Sequence, residues 1–170
     1  MGFSQIFWGF IFLLNFYFNG FNILPSFIGY ILIYNGLNKL LLYNDYFHKA
    51  SKSAFFLIFL FIPNIIENSE MLLGESLTLI ISVITTIVGI YFMFNLCLGI
   101  EDFAKSKNNY EIANKAKFYW QMYLVVGILS LLLCFGILGV IVMPSFCVMT
   151  IIYTIGVLMF LYKCKHELNA

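Results

Sequence analysis

Residues 77–143 read LTLIISVITTIVGIYFMFNLCLGI (77–100), EDFAKSKNNYEIANKAK (101–117) and FYWQMYLVVGILSLLLCFGILGVIVM (118–143). Two uncharged runs, each long enough to cross a hydrocarbon core of about 30 Å as a helix, flank a segment carrying Lys105, Lys107, Lys115 and Lys117. Every other basic residue is also a lysine, and these fall in two further clusters: Lys39, Lys49 and Lys52, then Lys163 and Lys165. Two hydrophobic segments separate each cluster from the next, so a single topology places all the lysines on one side of a membrane. That is the positive-inside pattern of a polytopic membrane protein.

Composition agrees. The 170 residues are 62% hydrophobic and 10% charged, with a mean hydropathy of +0.96, whereas a soluble domain carries about 25% charged residues to meet water. The expected fold class is therefore an all-α integral membrane bundle, a single membrane domain over 1–170 with the lipid bilayer as its first partner. Arginine is absent and no basic stripe lies outside the loops, so a nucleic-acid partner has no electrostatic footprint. The four cysteines, Cys97, Cys134, Cys147 and Cys164, show no C-x-x-C spacing, and no metal or cofactor site is expected from them.

Hydropathy predicts six transmembrane segments: 3–18, 23–42, 54–73, 77–100, 118–143 and 146–162, with both termini cytoplasmic and a cytoplasmic helical extension over 101–117. Pro25 suits the first turn of the second segment, where its missing N–H costs little. Pro144-Ser145 is read as the tight turn before the sixth. Within 101–117, Glu101 with Lys105 and Glu111 with Lys115 are i,i+4 pairs in the favourable order, and Asn108-Asn109 marks a break. The lysines constrain segments three to six but not the first 38 residues, which are uncharged; segments one and two either both cross or dip and return as a re-entrant hairpin.

Few groups could carry chemistry. His48 and His166 both sit in juxtamembrane stretches without ligand spacing, and neither H-E-x-x-H nor G-x-S-x-G occurs. No catalytic residue is expected, and the chain reads as a non-enzyme. Ionisable residues within spans often mark ion paths, and Glu67, just after Pro63-Asn64, comes nearest: either an outer-leaflet notch for a cation or substrate, or the end of a kinked helix. Amides cluster in the first two segments, including Asn22, Asn35 and Asn38. Gly29 and Gly36 are seven apart, with Asn22 at the same spacing, and define a small and polar stripe that serves either helix packing or a ligand path. The candidate site is thus Asn22, Pro25, Gly29, Asn35, Gly36, Asn38, Pro63, Asn64 and Glu67.

The stretch Asn22-Ile-Leu-Pro-Ser-Phe-Ile-Gly-Tyr, followed by Gly36-Leu37, resembles a segment of small uncharacterised polytopic membrane proteins of low-GC Gram-positive bacteria, where the motif reads approximately Asp-Ile-Leu-Pro-Asp-x-Ile-Gly-Tyr. Asn22 and Ser26 stand at the two acidic positions, so a charge-dependent role does not carry over. The resemblance implies a bacterial plasma membrane and no established activity.

Three classes remain; an enzyme, the last of them, would need His48, His166 and a carboxylate to converge in space, and two other functions fit this inventory better. One is a non-catalytic membrane protein with an accessory, regulatory or immunity-type role, working with a partner membrane subunit or as a homo-oligomer. The other is a small transporter, channel or substrate-binding permease subunit. A closed, dry core would favour the first and a polar cavity reaching one side the second.

Overall fold

A computed structural model describes residues 2–14, 17–18, 21–22, 26–61, 74–134 and 143–168. Six helices carry the described chain: α1 (Gly2–Phe12), α2 (Ser26–Asn38), α3 (Asp45–Phe61), α4 (Glu75–Ser106), α5 (Tyr110–Cys134) and α6 (Met143–Glu167). Extended pairing among the described residues is limited to β1 (Tyr17–Phe18) and β2 (Phe21–Asn22), an antiparallel ladder pairing Tyr17 with Asn22 and Phe18 with Phe21. Among the described residues the remaining regular structure is all α-helix.

Among the described residues three helices, where six spans were expected, are long and apolar enough to cross a membrane: α4, α5 and α6; the expected span 54–73 lies outside the described residues beyond Phe61. At 32, 25 and 25 residues they run about 37–48 Å at 1.5 Å per residue. α1 and α2 have 11 and 13 residues, or roughly 16 and 20 Å, so the expected spans 3–18 and 23–42 are not continuous helices. Hydropathy counts apolar residues without asking whether they form one rod; here Tyr17–Phe18 and Phe21–Asn22 go into the ladder. α3 starts at Asp45 rather than at residue 54, because the Asn44 side chain caps it by accepting from the Phe47 N–H at 3.0 Å. Lys49 and Lys52 thus lie on a helix instead of in a loop. Pro144 is in the first turn of α6 and not in a turn before it, a position that tolerates the missing donor.

Each helix packs on its neighbours in sequence, and α6 closes back on α1. α1 and α2 are antiparallel and approach at glycine. A Cβ on Gly9 would lie 2.6 Å from the Gly29 carbonyl oxygen, and one on Gly29 would lie 2.7 Å from that of Gly9. Gly2 and Gly36 repeat the arrangement one heptad away, at 2.7 Å in both directions. Only glycine allows backbones so near.

The lysine clusters converge on one end of the bundle. Asn44 Nδ2 donates to the Gly99 carbonyl at 2.9 Å, Lys107 Nζ to the Leu168 carbonyl at 2.7 Å, and Lys163 pairs with Glu111 at 2.5 Å. Glu101–Lys105 and Glu111–Lys115 form at 2.6 and 2.7 Å. α4 and α5 break at Lys107–Asn109, where Asn108 takes a left-handed φ of 58°, a conformation asparagine tolerates better than most residues; Asn109 then caps α5 by accepting from the Ile112 N–H at 3.1 Å.

The core lies in this lysine-bearing half. Phe3, Phe47, Ala50, Ile100, Phe103, Ala104, Ile112, Ala116 and Cys164 are all buried there, with the Phe3 ring between those of Phe47 and Phe103. Towards the other end packing thins. From Ser76 to Val88 on α4, Ile128 to Leu133 on α5 and Pro144 to Gly156 on α6, no residue is fully buried.

Candidate functional site

The stripe read as either helix packing or a ligand path is a packing surface where it can be described. Gly29 and Gly36 are filled by the backbone of α1, leaving no room for a ligand. Asn35 is exposed on α2, and the exposed Asn38 accepts a hydrogen bond from Ser51 Oγ of α3 at 2.7 Å. Asn22 belongs to the short ladder. Pro25, Pro63, Asn64 and Glu67 lie outside the described residues. His48 and His166 are exposed on α3 and α6, and the His166 ring packs on Tyr162 at 4.5 Å.

What the structure offers instead is a hollow beyond the α1–α2 pair. α1 runs antiparallel to α4: Phe3 reaches Phe103, and Phe10, near its far end, reaches Phe92. α1 therefore covers α4 only from its lysine end to about its middle. Beyond that level two adjoining cavities of about 250 and 290 Å³ open between the helices, sharing Tyr30, Phe61, Tyr123, Val126 and Thr150.

Their lining is aromatic and hydroxylic. Tyr30 stacks on Phe61 at 5.1 Å and meets Phe92 edge-on at 6.1 Å, while Phe92 stacks on Phe10 at 6.4 Å. From α5 and α6, the Tyr123 and Tyr153 rings lie 5.7 Å apart, and Tyr119 packs on Tyr153 and on Phe160. The Tyr153 hydroxyl donates to the Tyr119 carbonyl at 3.4 Å, a long and hence weak bond. The Tyr123 hydroxyl lies against Gly89, where a Cβ would come within 3.0 Å of it.

Threonine and serine complete the polar lining. Thr150 and Thr154 donate to the Cys147 and Thr150 carbonyls of their own helix at 2.8 and 2.7 Å, and Thr86 donates to Ser82 at 2.9 Å. A hydroxyl within an apolar helix ordinarily settles its proton this way. Its oxygen still faces outward as an acceptor. Among the described residues no Asp, Glu, Lys or His lines either cavity.

Sequence reasoning missed Tyr30, Tyr123 and Tyr153. Their available signal was position: each falls inside an apolar run, whereas interfacial tyrosines gather at the ends. A hollow of this size, rich in aromatic and hydroxyl side chains, can hold a small molecule by shape and a few hydrogen bonds; among the described residues its lining carries no charge to bind an ion. No protein family, no curated protein and no solved structure matches this chain.

Proposed function

We propose that this chain is a multi-pass protein of the bacterial plasma membrane that binds an uncharged, largely apolar small molecule, serving as a substrate-binding permease subunit or carrier. The observation carrying this reading is the pair of adjoining cavities beside the middle of α4, walled by aromatic rings from several helices. A protein acting only through its surface needs no such hollow. Ligand sites between helices of a bundle are common, and transporters keep theirs near the bilayer midplane.

The orientation that fits puts the lysine end in the cytoplasm, with α4, α5 and α6 crossing the bilayer. α1 and α2, too short to cross and locked at their glycines, are read as a re-entrant hairpin entering from the cytoplasmic face, its tip bounding the cavity. Irregular backbone at membrane depth is tolerated where protein or a cavity surrounds it. The bacterial assignment rests on the resemblance of residues 22–37.

Native mass spectrometry of the gently purified protein tests the binding role. A retained small molecule, lost on Val126→Phe, is the expected result. A protein that emerges free of small molecules but bound to another membrane subunit would replace this reading with the accessory one. For orientation, single cysteines at Lys105 and Lys165 should react with an impermeant maleimide only after the cells are opened.

A further inference from the structure

Resting on the small-molecule reading, we infer that the cavity recognises a flat, uncharged ring bearing a carbonyl oxygen, a cyclic ketone or quinone, with Tyr123 and Tyr153 as the donors that read the carbonyl. Three features point there together.

The first is shape. The rings of Tyr30, Phe92, Tyr123 and Tyr153 all line the first cavity. A planar ligand stacked against aromatic faces gains more than its buried area alone provides. At about 250 and 290 Å³ each cavity is just below the usual range of ligand sites, roughly 300 to 1,000 Å³, so a single ring system fits and a long polar molecule does not.

The second is the balance of donors and acceptors. Thr150 and Thr154 have given their protons to helix carbonyls, so towards the cavity they are acceptors only. Among the described lining residues the tyrosines, Thr85 and Ser130 can still turn a proton to a ligand: Tyr153 holds its carbonyl at only 3.4 Å, and Tyr123 comes from α5 with its hydroxyl at the glycine gap in α4. A buried tyrosine O–H ordinarily finds a partner, and an unused donor costs more than an unused acceptor lone pair. The complementary ligand atom is therefore an acceptor.

Charge is the third. With no acidic or basic side chain among the described lining residues, an ion would be desolvated without a counter-charge. Aromatic faces could attract a lipophilic cation, which makes that ligand the natural competitor to test.

The experiment measures saturable binding to the full chain in lipid nanodiscs, with empty nanodiscs as background. Its probes are duroquinone, durene (the same flat methylated ring without oxygens) and tetraphenylphosphonium. Duroquinone should bind tightest, and Tyr123→Phe and Tyr153→Phe should each weaken it by about three- to tenfold, the range of one net hydrogen bond, while leaving durene unchanged. Both variants keep the ring, so the fold should survive; an unchanged unfolding midpoint verifies this. Durene binding as well as duroquinone, or tetraphenylphosphonium binding best, overturns the ring-carbonyl inference while the cavity reading stands. Should none of the three bind saturably, both fail.

Discussion

The two halves of this bundle are made from the same kinds of residue and behave as different materials. In the lysine half, side chains interdigitate until Phe3, Phe47 and Ile100 are buried, and hydrogen bonds from Asn44 and Lys107 tie separate helices together. In the far half, α4, α5 and α6 present isoleucine, valine and threonine with no fully buried position over 76–88, 128–133 and 144–156, and Thr86 and Thr154 bond to their own helices. One half is held by contacts between helices. The other is made of self-sufficient rods around a hollow. Each rod satisfies its own backbone, as any helix crossing a bilayer must, and so can stand with little help from its neighbours.

Comparable substitutions should therefore have unequal costs in the two halves. The largest effect is expected at the glycine pairs. Gly29→Val drives a branched side chain into the Gly9 carbonyl, which lies 2.7 Å from the first added carbon. Overpacking of this kind costs about 1–3 kcal/mol or more, and the unfolding midpoint in mild detergent should collapse. Gly89→Ala adds the same carbon against the tip of Tyr123, which can swing away, so its midpoint should barely move. Equal losses would mean that the far half is as tightly packed as the near one.

Second in size is Asn44→Ala, which removes both the cap of α3 and its tie to Gly99. A lost N-cap costs about 0.5–2 kcal/mol, read as faster amide exchange over residues 45–50. Thr86→Val, deleting a hydroxyl bonded only within α4, is the far-half counterpart and should leave exchange in α4 unaltered. Third, Val126→Phe adds bulk where both cavities meet. The fold should keep its midpoint, since filling a void typically contributes about +0.5–2 kcal/mol, while binding of duroquinone disappears. A strongly destabilised Val126→Phe would show that the space is not open in the folded protein.

The smallest effect concerns charge at the lysine end. Hydrogen bonds from Lys115 and Lys163 hold the Glu111 carboxyl down at about 2, below its ordinary 4.5. Because the folded state binds the proton less readily, the contribution of these ion pairs is complete above pH 4.5 and fades as the pH falls towards 2. Exposed pairs contribute little to stability, so the readout is the carboxylate itself: Glu111 should remain ionised at pH 3.5, and Lys163→Met should raise its titration midpoint. An ordinary titration in the unmodified chain would mean that the pairs do not persist in solution.

Much of the near half was legible in the sequence. Lysine spacing implied a common end, and the structure brings the three clusters together there. The Asn108-Asn109 break and the two glutamate–lysine pairs follow from local rules of turn and helix chemistry. Gly29 and Gly36 were legible as one face, but their partners were not, although Gly2 and Gly9 carry the same seven-residue spacing. The cavity was not legible. Tyr30, Tyr123 and Tyr153 lie about 30 and 90 residues apart in the chain, and no local pattern joins them.

What the sequence by itself determined is the apolar character and the shared end: few charges, all basic residues lysine, and their confinement to three clusters, the pattern expected of a chain in a membrane. Tertiary structure alone decided which apolar segments become full-length rods and which stop short. Hydropathy is a sum over residues, whereas the reach of α1 and α2 depends on where the helix breaks and on which backbone each glycine admits. The hollow is a consequence of that shortness, and it exists only once the two short helices have packed against the three long ones.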